Sequence, residues 1–222
     1  METVFKKIDV TDLRPIREVV LDEIRSAIFE NKIKPGDRLV ENVIASSMGI
    51  SRTPVREALR QLEIEGLAVN IPRRGTLVKG ISKEDAMEIY DLREVLEGLA
   101  VRLACLNISR REINRLKEII DIMKETMNEE NYDEYMKAHT EYNDIIMSAS
   151  KNKRLLSQIE NIYEYLKSLR KVGLHAIEKR SDILEEHIKI VQAIDKGNEY
   201  LAEEEARKHV RNAKKRFIES TK

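Results

Sequence analysis

A tight turn at residues 49–51, between two short helical patterns, constrains the fold of this chain more than any other feature. The residues of Val40–Met48 follow a helical period that stops at Gly49, a residue suited to the left-handed backbone at a helix end. Ser51 then provides an N-cap for a second helix over about 53–65. Two short helices joined in this way predict a helix-turn-helix, whose second helix enters the major groove of DNA.

The segments on either side complete a small domain. An amphipathic helix is predicted over about 15–29, before the helix-turn-helix. After it, β-prone runs at 67–71 and 75–78 flank a turn at 72–74, which predicts a two-stranded wing. We therefore expect residues 1–80 to form a winged helix-turn-helix DNA-binding domain.

The remaining residues, 81–222, follow helical periods throughout. Ser109 and Glu112 have the spacing of a capping box, and Gly197 marks a helix end. Connections are expected near 128–131 and 173–181. The predicted fold class is thus mainly α, with an N-terminal winged helix-turn-helix at residues 1–80 and a C-terminal antiparallel all-helical bundle at 81–222.

Charge is balanced over the whole chain but not within the predicted DNA-binding domain. The chain has 40 basic and 40 acidic residues, so any affinity for DNA must come from the local placement of charge. Residues 51–80 carry a basic excess, with Arg52, Arg56, Arg60, Arg73, Arg74 and Lys79 against Glu57, Glu63 and Glu65. A single cysteine, Cys105, and no apolar run of membrane-spanning length lead us to expect a cytoplasmic protein without a membrane segment.

The predicted second helix of the helix-turn-helix separates basic from apolar residues. Arg52, Arg56 and Arg60 recur every four residues and so share one face. An arginine can bond guanine bidentately or hold a phosphate. Other candidates for DNA contact are the hydroxyls of Ser51 and Thr53 and the wing-tip residues Arg73, Arg74 and Gly75. From the arginines alone, an ordinary solvated surface helix is the stronger interpretation.

Three of the four histidines lie on separate predicted helical segments of the bundle. These are His139, His187 and His209, and Asn143 shares a helix face with His139. Imidazoles from different helices can build an internal site for zinc, nickel, copper or iron. Scattered histidines are more often surface or core residues, and spacing alone favours that alternative. His175 is assigned to the surface.

Residues 12–80 resemble the winged-helix domain of the GntR family of bacterial transcription regulators. The shared motifs are Gly36-Asp37-Arg38-Leu39, Gly49-Ile50, Ser51–Leu59, Glu65-Gly66-Leu67 and Arg74-Gly75. The resemblance implies DNA contacts at Arg52, Thr53, Arg56 and Gly75. Asn42 departs from the pattern, since several members have an arginine in this part of the helix predicted over Val40–Met48.

Residues 82–219 resemble the FCD effector domain of the FadR-type branch of that family. The matching segments are Arg93–Glu97, Ser148–Asn152, and the region that contains Glu186, His187, Ala206 and His209. Metal-binding members use Asp-x-x-x-His on the middle helix and two later histidines. The resemblance implies His187 and His209 as ligands of a divalent transition metal, zinc or nickel. It places His139 at the family's aspartate position and Asn143 at its histidine position, so the middle helix departs from the pattern. His139 is expected as a third ligand, whereas Asn143 is either a weaker ligand or orients a water or the effector. The resemblance also places Arg93 where members meet the effector's carboxylate, and the alternative for Arg93 is a surface ion pair with Glu97.

These expectations together describe a non-enzymatic switch. A homodimer binds a palindromic DNA operator, more often as a repressor, and a small carboxylate at the metal site changes its affinity for DNA. Two alternatives stay open. One is a metal-dependent hydrolytic enzyme with a DNA-binding domain, and the other is an effector-free architectural DNA-binding dimer.

Overall fold

A computed structural model describes residues 4–8, 13–80, 82–128, 130–170 and 177–220, and their side chains except at 164, 166–170 and 177–179. The chain divides into two compact units, Met1–Asp85 and Ala86–Lys222.

The first unit contains three helices and a hairpin in its described residues. In chain order the elements are α1 (Ile16–Phe29), α2 (Glu41–Met48), α3 (Arg52–Ile64), β1 (Ala68–Ile71) and β2 (Gly75–Val78). The strands pair antiparallel, with Ala68 opposite Val78 and Ile71 opposite Gly75. This is the predicted winged helix-turn-helix.

Local sequence explains the turn between α2 and α3. Gly49 ends α2 with a φ of +71°, a value that costs a glycine little because it has no Cβ. Ser51 takes the N-cap position of α3 with an extended backbone, but its side chain makes no capping hydrogen bond. Val55 and Leu62 are fully buried, so the apolar side of α3 faces the core and its arginine side faces out.

The second unit is helical throughout its described residues. Its elements are α4 (Lys83–Asn107), α5 (Arg110–Glu125), α6 (Tyr132–Ala149), α7 (Lys153–Arg170), α8 (Ile177–Asp195) and α9 (Glu199–Ser220). The predicted capping box at the start of α5 is confirmed, because Ser109 and Glu112 bond each other's backbone N–H groups. Helix α5 packs against α6 and α8, and α8 packs against α9. Their shared core includes Leu116, Ile119, Met123 and Ile146.

One predicted connection differs from the structure. Residues 171–176 lie outside the described residues, but α8 already begins at Ile177, so the second half of the predicted connection 173–181 is helical. None of the described helices has the length and apolar character needed to cross a membrane. Cys105 is partly buried against the bundle core, and burial raises the pKa of its thiol.

Candidate functional site

The predicted DNA-contacting residues of α3 share one accessible surface. Arg52, Arg56 and Arg60 are exposed, as are Ser51 and Thr53 at the start of the helix. The backbone N–H groups of this first turn point out of the helix end without intrahelical partners, which suits a phosphate. The surface therefore offers three cations, two hydroxyls and a helix N-terminus.

Two of the three arginines are held by side chains at the start of α2. Arg56 donates to the Glu41 carboxylate from Nε, at 3.1 Å to Oε1, and from Nη2, at 3.0 Å to Oε2. Arg52 donates from Nη1 to the Asn42 amide oxygen at 3.3 Å. Hydrogen bonding by Arg56 lowers the pKa of Glu41. Asn42, the departure from the family pattern, is thus a partner of a predicted DNA-contacting residue.

The wing presents a second basic surface. Arg73 and Arg74 are exposed at its tip, and Gly75 has a φ of +81°. A Cβ added at Gly75 would lie 3.3 Å from the Nε and Nη2 atoms of Arg38, so this guanidinium lies directly beside the wing. The backbone of Arg38 also forms an isolated antiparallel β-bridge with Leu77 of β2. Its loop position in the sequence gave no sign that it joins the wing.

Three histidine rings from three helices of the second unit come together in its interior. The ring centroid of His187, on α8, lies 5.2 Å from that of His139 on α6 and 4.9 Å from that of His209 on α9. All three side chains are buried. Tyr142 stacks on His187 with 4.4 Å between centroids. The structure therefore brings together residues that the sequence separates by up to 70 positions.

His187 lies at the centre of this cluster and carries an unusual polar atom. Its Nδ1 atom is buried and has no hydrogen-bond partner in the part of the chain that the structure describes. The hydroxyl of Tyr142 is also buried and has no hydrogen-bond partner among the described residues. Burial, together with His209 and His139, lowers the pKa of His187 well below its usual value, so the ring is neutral at pH 7. A neutral imidazole with an unpartnered nitrogen is the form that binds a metal ion.

His209 is oriented by a carboxylate. Its Nδ1 lies 2.7 Å from Oε2 of Glu186. The other oxygen of that carboxylate, Oε1, accepts hydrogen bonds from Asn212 Nδ2 at 2.8 Å and from Arg216 Nη1 at 2.9 Å. Burial alone would raise the pKa of Glu186, but His209 and Arg216 lower it to about 2. An Nδ1–H that donates to a carboxylate leaves the Nε2 lone pair of a neutral ring available, as in many metal-ligating histidines. The sequence gave no reason to select Glu186 for this role.

Asn143 contacts its own helix in this structure. Its Nδ2 donates to the backbone oxygen of His139 at 3.0 Å and lies 3.3 Å from His139 Nδ1. Among the described residues, no group of three or more His, Cys, Asp and Glu side chains already has the spacing that would hold an ion. The donor types nevertheless fit a transition metal. They are three imidazoles, one of which has a buried nitrogen without a partner, and a carboxylate hydrogen-bonded to His209.

Arg93 is paired with Glu97 in the interior of the unit, and not on its surface. Arg93 Nε donates to Glu97 Oε1, and the Tyr163 hydroxyl donates to the same oxygen at 2.8 Å. The side chains of Arg93 and Glu97 are only 12% and 7% exposed. Burial opposes the charge on Glu97, but Arg93 and Tyr163 hold the pKa of its carboxyl below the usual value. Arg93 Nη1 makes no hydrogen bond to any described residue, so one donor group remains for a ligand.

Two other side chains of α4, those of Arg102 and Tyr90, contact residues of α9. Arg102, nine residues after Arg93 on α4, contacts the ring of Tyr200 and pairs with Glu203. His175, assigned to the surface from the sequence, lies outside the described residues. Tyr90 lies against Phe217, and the Arg93 guanidinium is 5.7 Å from the Tyr90 ring centre.

Comparison with known proteins agrees with both units. The model of the gntR family of bacterial regulatory proteins matches residues 16–78, and the FCD domain model matches residues 88–212. The chain belongs to the GntR family and carries an FCD domain. This GntR regulator is 31% identical to the gluconate operon transcriptional repressor of Bacillus subtilis over 178 residues. The matched segment covers 78% of this chain and 72% of that protein.

Other similarities extend along most of the chain. The HTH-type transcriptional regulator YdhC of Bacillus subtilis is 28% identical over 190 residues, 85% of this chain and 83% of that protein. The solved structure of Escherichia coli McbR/YncC covers 95% of this chain with a TM-score of 0.66 and 19% identity, and all of that chain is matched. This structural similarity supports the fold. The family assignment makes the protein a transcription regulator with a DNA-binding domain.

Proposed function

We propose that this GntR regulator is a repressor that binds a palindromic operator as a homodimer, and that a small carboxylate bound at a metal ion in the FCD unit changes its affinity for DNA. The observation that carries the proposal is the convergence of three imidazoles, one of which has a buried nitrogen without a partner. A related protein is named a repressor, that of the gluconate operon. Its name supports the direction of regulation proposed here.

In this proposal the metal ion is held by His139, His187 and His209. Such an ion supplies a Lewis acid with open positions for a carboxylate oxygen or water. Glu186 orients His209 through Nδ1. Asn143, a neutral amide beside His139, is proposed to orient a water or the effector.

Arg93 gives the effector its second point of recognition. Its Nη1 group has no partner among the described residues, while Nε is fixed by Glu97. A fixed guanidinium forms a directional, charge-assisted bond with a carboxylate. The effector would therefore be recognised by an ion on one side and by an oriented arginine on the other.

The covalent path to the DNA-binding unit runs through α4. This helix carries Arg93 and Glu97, and it begins at Lys83, shortly after β2 ends at Val78. An effector alters DNA binding only if it binds the DNA-competent and DNA-incompetent arrangements unequally. Such coupling is typically about 1–3 kcal/mol.

The test measures metal content and DNA affinity on the same full-length protein. The purified protein is expected to contain about one transition-metal ion per chain, and a panel of small carboxylic acids should change the affinity for an operator selected from random duplexes. His187→Ala should abolish both the metal and the response. Lys208→Ala is the matched control, since its exposed side chain is next to His209 in the chain.

Each alternative predicts a different result. An architectural DNA-binding dimer would contain no metal and give the same operator affinity with every acid. A hydrolytic enzyme would turn over small acids or esters when metal is present. Either result would contradict the proposed function, and a folded His187→Ala protein that keeps its metal would contradict the ligand assignment.

A further inference from the structure

We propose that Glu41 is a positioning residue for DNA recognition, which holds the Arg56 guanidinium so that its remaining donors face a base. Neither the motif nor the basic character of α3 singles out this acidic residue. The inference concerns the DNA-binding unit alone and does not depend on metal or effector.

The geometry of the pair fixes the plane of the guanidinium. Arg56 uses Nε, at 3.1 Å, and Nη2, at 3.0 Å, so both Glu41 oxygens are engaged in a side-on contact. Two parallel hydrogen bonds to a carboxylate restrict a guanidinium in both position and orientation. The Arg56 side chain would otherwise rotate freely, because it is 54% exposed.

The donors that remain are those that guanine recognition needs. A guanidinium has five N–H groups, and the side-on contact uses one on Nε and one on Nη2. One N–H of Nη1 and the second N–H of Nη2 stay adjacent at the far edge. Such a pair matches the O6 and N7 acceptors of guanine in the major groove. Glu41 therefore orients the arginine without occupying its reading edge.

Arg52 provides an internal comparison. Its bond to the neutral amide of Asn42 is single and 3.3 Å long, whereas Arg56 has a charged, two-point partner. We therefore expect Arg56 to discriminate between bases more strictly than Arg52. Glu41 also lies in the first turn of α2, where a carboxylate is favoured by the helix dipole and keeps its charge.

A carboxylate on a DNA-facing surface has a further effect. It repels phosphates wherever Arg56 is not in its base-reading position, so it weakens binding to DNA of unrelated sequence. Removing the negative charge of Glu41 should consequently weaken operator binding and strengthen non-specific binding at the same time. A residue with a purely structural role would not change these two affinities in opposite directions.

The experiment compares Glu41→Gln with Glu57→Gln in the full-length protein. Both remove one negative charge from the DNA-binding unit, but Glu57 lies on α3 among residues of α1 such as Arg17 and Leu21. The probes are a duplex enriched from a random pool by the wild-type protein, its single-base variants and a scrambled duplex, all at one salt concentration. E41Q should reduce the ratio of specific to non-specific affinity about tenfold, whereas E57Q should change both affinities by the same factor.

Single-base variants identify the mechanism. E41Q should lose discrimination at the same base pair as Arg56→Ala, and E41Q added to R56A should cause no further loss of specificity. Thermal unfolding of each variant verifies that it is folded, and Glu41→Ala provides a second substitution that cannot accept the hydrogen bonds.

Three results would overturn the inference. Uniform changes in E41Q like those of E57Q would show that Glu41 contributes charge only. Loss of discrimination at a different base pair from R56A would mean that Glu41 contacts a base itself. Failure of the wild-type protein to enrich any duplex would contradict sequence-specific binding as a whole, and with it the proposed function, whereas the first two results would leave that function intact.

Discussion

The two units of this regulator use the same pair of residue types in opposite surroundings. In the DNA-binding unit, the side chains of Arg56 and Glu41 are 54% and 33% exposed. In the FCD unit, those of Arg93 and Glu97 are 12% and 7% exposed. Water screens the first pair, so it costs little to rearrange when DNA arrives. The second pair has lost its hydration, so each charge depends on the other.

This difference matches what each unit has to do. An arginine that contacts DNA, as we propose for Arg56, must keep donors available, and the exposed pair with Glu41 leaves its Nη1 and one Nη2 N–H group free of that contact. The buried pair instead fixes α4 to α7 through the Tyr163 hydroxyl, which donates to Glu97. Exposure, and not residue identity, decides how strongly an arginine–glutamate pair contributes to the stability of the fold.

The largest effect is expected from breaking the buried pair. Glu97→Gln leaves the Arg93 charge without a counterion in the interior and should lower the free energy of unfolding by about 3–5 kcal/mol. Urea unfolding measures this change. The matched control is Glu94→Gln on the same helix, whose partner Arg211 is 41% exposed, and which should cost less than about 1 kcal/mol. Equal losses in the two variants would contradict the role assigned to burial.

The pH dependence of the stability lost in Glu97→Gln provides a second test of the buried pair. The pKa of Glu97 is lowered in the folded protein, chiefly because the Arg93 charge and hydrogen bond outweigh its burial. Its charge therefore stabilises the fold fully above the unfolded pKa, about 4.3, and progressively less as the pH falls below that value. The difference in unfolding free energy between wild type and E97Q should shrink as the pH is lowered from 7 toward 3. A constant or growing difference would be evidence against the ion pair.

A smaller effect is expected at the DNA surface. Arg52→Ala should weaken operator binding by about 1–3 kcal/mol if Arg52 contacts a base, with little change for scrambled DNA. Fluorescence anisotropy with both duplexes measures the two affinities. Arg60→Ala, at the far end of the same face, is the comparison. Equal losses on operator and scrambled DNA would assign Arg52 to a phosphate.

The smallest effect is expected on stability when the exposed pair is broken. Glu41→Gln should leave the midpoint of thermal unfolding within about 2 °C of the wild type, because exposed ion pairs contribute little. Differential scanning fluorimetry provides the measurement, with E97Q as the destabilised reference. A large drop in the midpoint for E41Q would show that the two pairs are not different in kind.

Much of the architecture follows from local sequence. The turn at Gly49, the arginine face of α3 and the capping box at Ser109 each depend on residues within about one helical turn of one another. Such features are determined by backbone freedom, side-chain hydrogen bonds and helical period, so the sequence alone predicts them. The connection predicted over 173–181 was wrong in its second half, because Gly173 and Ser181 gave a weak boundary signal and α8 begins at Ile177.

The sites were less accessible to sequence reasoning. The histidines could be proposed, but nothing in the sequence fixes a separation of 4.9–5.2 Å between their rings or the carboxylate behind His209. The pairing of Arg93 with Glu97 could be expected from their i, i+4 spacing. Its burial could not, because burial depends on α7, which lies about 60 residues away in the chain.

Sequence by itself thus determined the helix ends, the wing, the basic face of α3 and the family. Only the tertiary structure decided which groups lose water and which acquire distant partners, namely Glu41 beside Arg56, Arg38 beside Gly75, and Glu186 beside His209. The physical reason is one of range. Backbone preferences and helical period act within a few residues, whereas desolvation and electrostatic pairing depend on atoms that only folding brings together.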